Sequence, residues 1–423
     1  MKTKEKPFLW GIATSAFQQE GYVHNDMTDW ELLGCFKENG KNPKYENGSA
    51  HWKHWRKDFK FLQEMNINAY RFSIEWARIE PHPGQYDQKA LNTYKKMIKE
   101  LHRMGIEPVL TLHHFTHPRW FHSTCPWHSE LSIEYFTRYC DMLIREFGKQ
   151  ISYYITFNEP MVWALAAYAD AKFPPGEKNL DHMMAALKNM LTAHRIIYDE
   201  IKQINPKAQV GIAKNFIIFK PGRSWFLPDQ GVCRLIENFY NFMLLNAFQK
   251  NRLACKFPLL LDYDQEIRLD NAIDFWGINY YYRMHAAFRL SLKKPIALYF
   301  KNESKAGMSA MGWENYPKGL KRVIRWVQQT GKDMMITENG IATDDDQARM
   351  HYIRKHIKIV QKAIKKGIPI KGYFYWTFLD NYEWLEGKTA RFGLISVDYD
   401  RNYKRSPRES AQFYARLISK QRI

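Results

Sequence analysis

Cysteine is scarce in this chain, and so are long apolar runs. Five cysteines occur among 423 residues, and no two of them form a C-x-x-C pair. The odd, scattered set argues against a disulfide framework or a cysteine zinc site and favours a reducing, cytoplasmic compartment. No segment approaches the roughly 20 apolar residues of a membrane span. The apolar run near the amino terminus is broken by Gly11, Thr14 and Ser15, which is atypical of a signal peptide. The sequence therefore predicts no membrane partner.

Acidic residues are outnumbered, yet the excess of basic residues is not concentrated. Lys and Arg total 63 against 44 Asp and Glu, a formal net charge of +19. Such a balance can attract nucleic acid, anionic membranes or acidic substrates. Because the basic residues are spread along the chain, we interpret them as a solvated surface and predict no nucleic-acid partner. The sequence lacks a G-x-G-x-x-G after the first apolar run, a P-loop and an H-E-x-x-H pair. We therefore predict no cofactor and no metal.

Short apolar runs alternate with amphipathic stretches throughout the chain. Eight runs read as strands, at 8–15, 67–74, 107–114, 151–159, 209–216, 273–281, 333–340 and 370–378. Between most of them lie helical patterns, as at 86–105, where apolar residues share one face and Gly105 can end the helix. This alternation predicts an α/β protein with a parallel sheet, closed as a single (β/α)₈ TIM barrel over residues 1–423. The irregular segments 217–262 and 282–318 are expected to be long βα loops. An open doubly wound sheet is the alternative.

Polar side chains gather where the predicted strands end, which is where a barrel of this kind places its active site. They are Gln18, Glu20, Arg71, Glu75, His113, His114, Asn158, Glu159, Asn215, Asn279, Tyr281, Glu338, Asn339, Trp376, Asp380, Glu383 and Trp384. Two of them, Glu159 and Glu338, are carboxylates on different strands, the pair that glycoside hydrolysis needs. Arg71 and Tyr281 are expected to keep one of them ionised. A single glutamate at a strand end is better explained as a neighbour of a helix N-cap or as a member of a surface ion pair. That explanation does not account for polar residues at the ends of nearly all the strands.

The histidine pair and the aromatic residues each have a plain structural explanation. His113 and His114 are neighbours on a strand, so they face opposite ways and cannot share one metal. We expect one to be packed or solvated and the other to face the pocket, where it can bond a sugar hydroxyl. Aromatics make up 15% of the chain, with 14 Trp. They suit stacking on sugar rings, although any single Trp is more often part of a core.

Several motifs together resemble the retaining β-glycosidases of glycoside hydrolase family 1. "YRFSIEWARIEP", "TFNEP", "DFWGINYY", "ITENG" and "GYFYWTFLDNYEW" occur in this order, and the resemblance covers nearly the whole chain. It implies that Glu159 is the general acid/base and Glu338 the nucleophile. It also implies supporting roles for other residues. Asn158 would bind the sugar 2-hydroxyl, Arg71, Asn279 and Tyr281 would support the nucleophile, and Gln18, His114, Glu383, Trp384, Trp376, Phe392 and Trp313 would bind substrate.

Two glutamates imply a retaining double displacement through a covalent glycosyl-enzyme. The expected carboxyl separation is about 5 Å, against about 6.5–9.5 Å in an inverting enzyme. Glu159 is expected to have a raised pKa because the ionised Glu338 disfavours a second charge. The substrate is predicted to be a small β-glycoside or oligosaccharide with a terminal β-D-glucosyl, β-D-galactosyl or β-D-fucosyl residue. Some transfer of the glycosyl group to alcohols or sugars is also expected.

Other branches of the family, and one other class of protein, compete with this interpretation. A carboxylate at Glu383 would repel a 6-phosphate, which argues against the phosphoglycosidases, and an intact Glu159 argues against the plant thioglucosidases. Thr116 and Lys388 depart from the family pattern and are expected near the pocket rim. The alternative function is a non-catalytic, basic barrel that binds carbohydrate or nucleic acid, since a fold does not fix a function. The sequence is silent on the oligomeric state.

Overall fold

Thirteen strands and fourteen α-helices make up the described part of the chain. The structure is a computed structural model that describes residues 7–35, 45, 47–257, 261–291 and 295–420. The strands are β1 Leu9–Ala13, β2 Ala69–Ser73, β3 Glu107–His113, β4 Tyr153–Asn158, β5 Gln209–Pro221, β6 Arg252–Phe257, β7 Leu261–Glu266, β8 Phe275–Phe288, β9 Ile296–Tyr299, β10 Asp333–Asn339, β11 Ile370–Trp376, β12 Ile395–Asp398 and β13 Lys404–Pro407. The helices are α1 Ala16–Glu20, α2 Asp26–Leu32, α3 His51–Glu64, α4 Trp76–Ile79, α5 Gln88–Arg103, α6 Arg119–Thr124, α7 Leu131–Phe147, α8 Pro160–Tyr168, α9 Leu180–Ile204, α10 Leu227–Glu237, α11 Met243–Lys250, α12 Pro317–Gln328, α13 Asp346–Ile364 and α14 Glu409–Ser419.

Eight parallel strands close into a barrel. Their order is β1-β2-β3-β4-β5-β8-β10-β11, and β11 pairs again with β1, where Leu9 lies opposite Gly372 and Ala13 opposite Trp376. The predicted (β/α)₈ barrel is therefore confirmed, and the open sheet is wrong because an open sheet has no pairing between its first and last strands. Each of the eight predicted runs contains the core of one barrel strand.

Helix α5 shows why the longer helices form, since it has one apolar face and defined ends. In α5, Leu91, Tyr94 and Leu101 are buried on one side. The Asp87 side chain accepts hydrogen bonds from two backbone N–H groups of the first turn, which otherwise have no partner. Gly105, at φ 70°, follows the end of the helix in the left-handed region, as the sequence predicts. These helices wrap the barrel and bury its outer surface.

The two segments expected to be irregular are more ordered than predicted. Residues 217–262 hold α10, α11 and β6, and β5 itself continues to Pro221. Residues 282–318 begin inside β8, which continues to Phe288 and pairs with both β5 and β9. The sequence missed this extension because both strands run beyond the barrel wall and pair with each other there. Residues 258–260 and 292–294 of these segments lie outside the described residues.

None of the described helices is both long enough and apolar enough to cross a membrane. The five cysteines all carry free thiols in the structure.

The net charge of +19 is accompanied by many exposed ion pairs, such as Arg145 with Asp141 on α7. These observations agree with the interpretation of the basic residues as a solvated surface.

Candidate active site

Glu159 lies at the junction of β4 and α8, in a backbone conformation that few residues adopt. Its φ of 46° and ψ of 54° place it in the left-handed region, which costs free energy for a residue with a Cβ and is found mostly at functional sites. Pro160 occupies the first turn of α8, where it needs no hydrogen-bond donor. The backbone N–H of Glu159 donates to the carbonyl of Ala213 on β5 at 2.7 Å. The turn therefore points the carboxyl into the barrel mouth.

Glu338, near the end of β10, is held by a cation and a phenol. The Arg71 guanidinium donates to its Oε1 at 2.7 Å, and the Tyr281 hydroxyl donates to its Oε2 at 2.5 Å. Arg71 is fully buried on β2. Gly340 follows two residues later, and a Cβ there would lie 1.8 Å from the carbonyl oxygen of Trp376. The absence of a side chain at Gly340 therefore lets the end of β10 lie against β11.

Side-chain amides connect the two glutamates. Asn279 on β8 donates to Glu159 Oε1 at 2.7 Å and to Asn158 Oδ1 at 3.1 Å. Asn158 Oδ1 also accepts from Arg71 at 2.7 Å. Thr337 fixes the other end of Asn279 by donating to its Oδ1 at 2.7 Å. The two carboxyls therefore belong to one hydrogen-bonded network across the barrel.

The surroundings of the two carboxyls favour different protonation states. Burial, followed by the negative charge of the nearby Glu338, raises the pKa of Glu159 to about 7. Burial also raises the pKa of Glu338, but the charge of Arg71 and the bond from Tyr281 oppose that rise. Glu159 has only neutral amide donors among its hydrogen-bond partners. Glu338 therefore ionises first. The expected rise at Glu159 is present, although burial, and not Glu338, is its largest cause.

A third carboxyl, that of the half-buried Glu383, lies in the same pocket. Gln18 donates to its Oε2 at 3.0 Å, and Ser15 donates in turn to Gln18 Oε1 at 2.7 Å. Burial, followed by the charge of Glu338, raises the pKa of Glu383 to about 8. The Glu383 carboxyl therefore holds its proton more tightly than an ordinary glutamate does.

Aromatic rings form the walls of this pocket. The His114 ring is nearly parallel to Trp376, at 6.0 Å between centroids, and to Trp384, at 6.3 Å. Trp313 and Phe392 also line the pocket, with their ring centroids 6.2 Å apart. Of the two neighbouring histidines, His114 faces the pocket and also contacts Asn158 at 3.2 Å. His113 is buried elsewhere, against His117 at 2.8 Å.

The pocket is a cavity of about 250 Å³ at the carboxyl ends of the barrel strands. This is just below the about 300–1,000 Å³ typical of small-molecule sites. Every residue predicted as catalytic or substrate-binding lines it, namely Gln18, His114, Asn158, Glu159, Tyr281, Trp313, Glu338, Trp376, Glu383, Trp384 and Phe392. Arg71 and Asn279 lie behind these lining residues, where Arg71 donates to Glu338 and Asn279 donates to Glu159.

Comparisons with known proteins agree with this geometry. The model of glycosyl hydrolase family 1 matches residues 2–423. The chain belongs to glycosyl hydrolase family 1. It is 31% identical to a 1,4-β-D-glucan glucohydrolase of Thermotoga neapolitana, over 99% of this chain and 98% of the relative. The structure is similar to a β-glycosidase from Pyrococcus horikoshii, with a TM-score of 0.88 and 34% identity over 97% of this chain and 93% of the other. It is also similar to a β-glucosidase from Thermotoga maritima in complex with glucoimidazole, with a TM-score of 0.88, 29% identity and 99% coverage of both chains.

This family 1 O-glycosyl hydrolase has pocket residues that its sequence did not reveal. They are Phe115, Val162, Phe173, Tyr240, Tyr282, Met311, Leu385 and Glu386. Most are apolar or aromatic residues, and their composition does not distinguish them from core residues. Tyr240 comes from the segment expected to be irregular. Asn215, noted only as a strand-end residue, donates to Glu159 Oε1 at 3.1 Å.

One expected position is wrong. Thr116 was predicted near the pocket rim, but it is buried, and its hydroxyl donates to the Glu75 carboxylate at 2.9 and 3.1 Å. Glu75 itself is fully enclosed, and burial raises its pKa to about 7. Thr116 therefore belongs to a buried polar network behind the pocket wall.

A candidate metal cluster of the family 1 enzyme lies outside its pocket. His128, Glu177 and His182 bring their ligand atoms within 4.8 Å of one another. The two imidazole rings are stacked, with centroids 3.9 Å apart and planes 15° from parallel. A metal ion lies near the plane of each imidazole that binds it, and two stacked rings share no such point. His182 instead bonds Glu177 at 2.5 Å, so this arrangement does not fit a metal.

The loop that carries Trp313 depends on a buried ion pair, which gives a prediction about stability. Glu314 is fully buried and accepts from Arg283 at 2.5 and 2.8 Å, and from the backbone N–H groups of residues 303 and 304. Replacing Glu314 by Gln is expected to lower the free energy of unfolding by about 3–5 kcal/mol, because Arg283 loses its buried counter-ion. Urea unfolding measures this change. Exposed Glu134, replaced in the same way, should leave the midpoint unchanged, and equal midpoints for the two variants would contradict the assignment.

Proposed function

We propose that this family 1 enzyme is a retaining β-glycosidase that hydrolyses non-reducing terminal β-D-glucosyl residues, and also accepts β-D-galactosyl and β-D-fucosyl residues. One observation carries the proposal. Glu338 is bonded to a cation and a phenol, whereas Glu159, in the same cavity, is bonded to neutral amides and has a pKa raised to about 7. One carboxyl is thus prepared to attack and the other to hold a proton. The names of the relatives support glucose as the preferred sugar.

In the first step, Glu338 attacks the anomeric carbon, and Glu159 transfers its proton to the departing glycosidic oxygen. Arg71 and Tyr281 keep Glu338 ionised and oriented before the attack. Once Glu338 is an ester, its negative charge no longer opposes ionisation of Glu159. Glu159 then removes a proton from water, which attacks the anomeric carbon and releases the sugar with its original configuration. A carboxyl separation of about 5 Å remains part of this proposal.

The remaining pocket residues are proposed to hold the sugar. Gln18, His114 and Glu383 supply hydrogen-bond partners for its hydroxyls, and Asn158 supplies one for the 2-hydroxyl. Trp384 belongs with the residues that bind the hydroxyls, and Trp376 offers a flat face beneath the ring. Trp313 lines the aglycone side and Phe392 the sugar subsite. An alcohol or a second sugar on that side can replace water in the second step, which gives transglycosylation.

The pH dependence follows from the two carboxyls. Glu159 must be protonated for the first step, so kcat/KM is expected to fall as the pH rises through about 7. Glu338 must be ionised, and since burial raises its pKa, the acidic limb should lie above the usual range of a glutamate. A kcat/KM profile from pH 4 to 9 tests both limbs. Glu159→Gln should lose the basic limb and Glu383→Gln should keep it, and a flat profile through pH 7 would contradict the role of Glu159.

The direct test is a panel of p-nitrophenyl β-D-glucoside, galactoside, fucoside and mannoside. The glucoside is expected to be hydrolysed fastest, and proton NMR of the first product should show the β-anomer. Initial formation of the α-anomer would overturn the retaining mechanism. No turnover of any member, together with nucleic-acid binding that weakens steeply with salt, would favour the non-catalytic alternative.

The proposal extends to the organisation and location of the protein. We infer that residues 1–423 act as one catalytic domain and that the enzyme works in the cytoplasm without a cofactor. Strands from both ends of the chain pair with each other to close the barrel, and the five thiols are free. Both observations support this inference.

A further inference from the structure

A lysine is buried beside the acid/base carboxyl and has no place in the mechanism above. Lys214 on β5 is only 1% exposed. Its ammonium donates to the backbone carbonyls of Asn215 and Tyr240, both at 2.8 Å. The rings of Phe216 and Tyr240 lie 4.3 and 5.1 Å away. Moving an ammonium group from water into the protein interior costs free energy, so we expect these contacts to have a role in the site.

The carbonyl of Tyr240 belongs to an unusual helical turn. Residues Asn238–Phe242 form a π-helix between α10 and α11, a feature common at functional sites. Three side chains connect this turn to β5, and those of Asn241 and Lys214 hold its backbone. Asn241 accepts from the N–H of Ile217 at 3.1 Å and donates to its carbonyl at 2.8 Å, and Lys214 provides the second connection. The π-turn therefore has a fixed position relative to β5.

The fixed turn sets the orientation of an amide that contacts Glu159. The Tyr240 hydroxyl donates to Asn215 Oδ1 at 2.8 Å, so Asn215 Nδ2 points the other way and donates to Glu159 Oε1 at 3.1 Å. If the amide were turned over, its oxygen would face the Glu159 carboxyl and repel the ionised form. Lys214 holds the backbone of both Asn215 and Tyr240, the two residues that determine this orientation.

We propose that Lys214 is a positioning residue for the acid/base carboxyl, which it orients through Tyr240 and Asn215. The inference rests on the proposed function, since it assumes that Glu159 transfers a proton. Burial lowers the pKa of Lys214 to about 7, and the negative charge of Glu159 opposes this fall.

The test compares two β-D-glucosides that differ in their need for an acid. The 2,4-dinitrophenolate of the first glucoside leaves without being protonated. The methoxy group of methyl β-D-glucoside must receive a proton from a general acid before it can leave. Correct general acid catalysis is worth about 10²–10⁴-fold. Lys214→Met is therefore expected to lower kcat/KM for the methyl glucoside by about 10-fold or more, and for the dinitrophenyl glucoside by less than about 2-fold. A residue that only supports the fold would reduce both values equally.

A second variant keeps the test informative if Lys214→Met does not fold. Tyr240→Phe retains the contacts of Lys214 and removes only the bond to Asn215 Oδ1, so it should reproduce the selective loss. The double variant should lose little more than either single variant, because both act through Asn215. Lys207, exposed two residues before the same strand, is the matched control, and Lys207→Met should change neither value.

The outcomes separate this inference from the proposed function. If Lys214→Met folds, equal losses for both glucosides, or no loss for the methyl glucoside, overturn the positioning role while the enzyme remains a glycosidase. If Lys214→Met does not fold, the same results for Tyr240→Phe overturn it. Failure of the unmodified enzyme to hydrolyse either glucoside overturns the proposed function itself.

Discussion

Replacement of Glu338 by alanine is expected to abolish turnover, with kcat for p-nitrophenyl β-D-glucoside falling by about 10⁵-fold or more. Without this carboxylate no glycosyl ester forms, and the cation and phenol that orient it, Arg71 and Tyr281, have no nucleophile to support. The loss should appear in kcat and kcat/KM alike. Single-turnover kinetics with mass spectrometry of the protein should show the covalent sugar in the unmodified enzyme and not in the variant.

The matched control is Glu134→Ala, which removes an exposed carboxylate of α7. It should retain the full rate. Near-normal turnover by Glu338→Ala would mean that the nucleophile has been assigned to the wrong residue. A peptide from another part of the chain that carries the covalent sugar would then identify the right one.

Replacement of Glu159 by glutamine is expected to have the second largest effect, and one that depends on the leaving group. The amide accepts the same bond from Asn279 through its oxygen but has no proton to transfer. For methyl β-D-glucoside, kcat/KM should fall by about 10³–10⁴-fold, and for the dinitrophenyl glucoside by far less. For the dinitrophenyl substrate kcat should still drop, because water in the second step has lost its base.

Burst kinetics would make this distinction visible. With the dinitrophenyl glucoside, the variant should release one equivalent of phenol quickly and then turn over slowly. A uniform loss across leaving groups, without a burst, would show that Glu159 contributes binding or structure and not proton transfer.

The sequence predicts much of this site because parallel strands align their carboxyl ends. Glu159 and Glu338 lie far apart in the chain, but each follows a recognisable apolar run, and closure of the barrel brings such ends together. The aromatic residues Trp313 and Phe392 were predicted for a different reason, namely the family resemblance. The local sequence does not distinguish an aromatic residue of the pocket from one of the core.

The features that the sequence could not predict depend on distant contacts. The bond between Lys214 and the carbonyl of Tyr240 requires a π-turn in a segment without clear periodicity. The pKa of Glu159 also depends mainly on burial, which is a property of the assembled barrel. Thr116 was misplaced because its partner Glu75 belongs to another strand end, and no pattern at either position indicates that contact.

The network joining Arg71, Asn158, Asn279 and Glu338 draws on four strands that are remote in the chain. No fragment shorter than the span from Arg71 to Glu338 can contain it. Catalytic competence must therefore emerge only after β2 and β10 have both taken their places in the barrel, which makes recovered activity a reporter of late assembly.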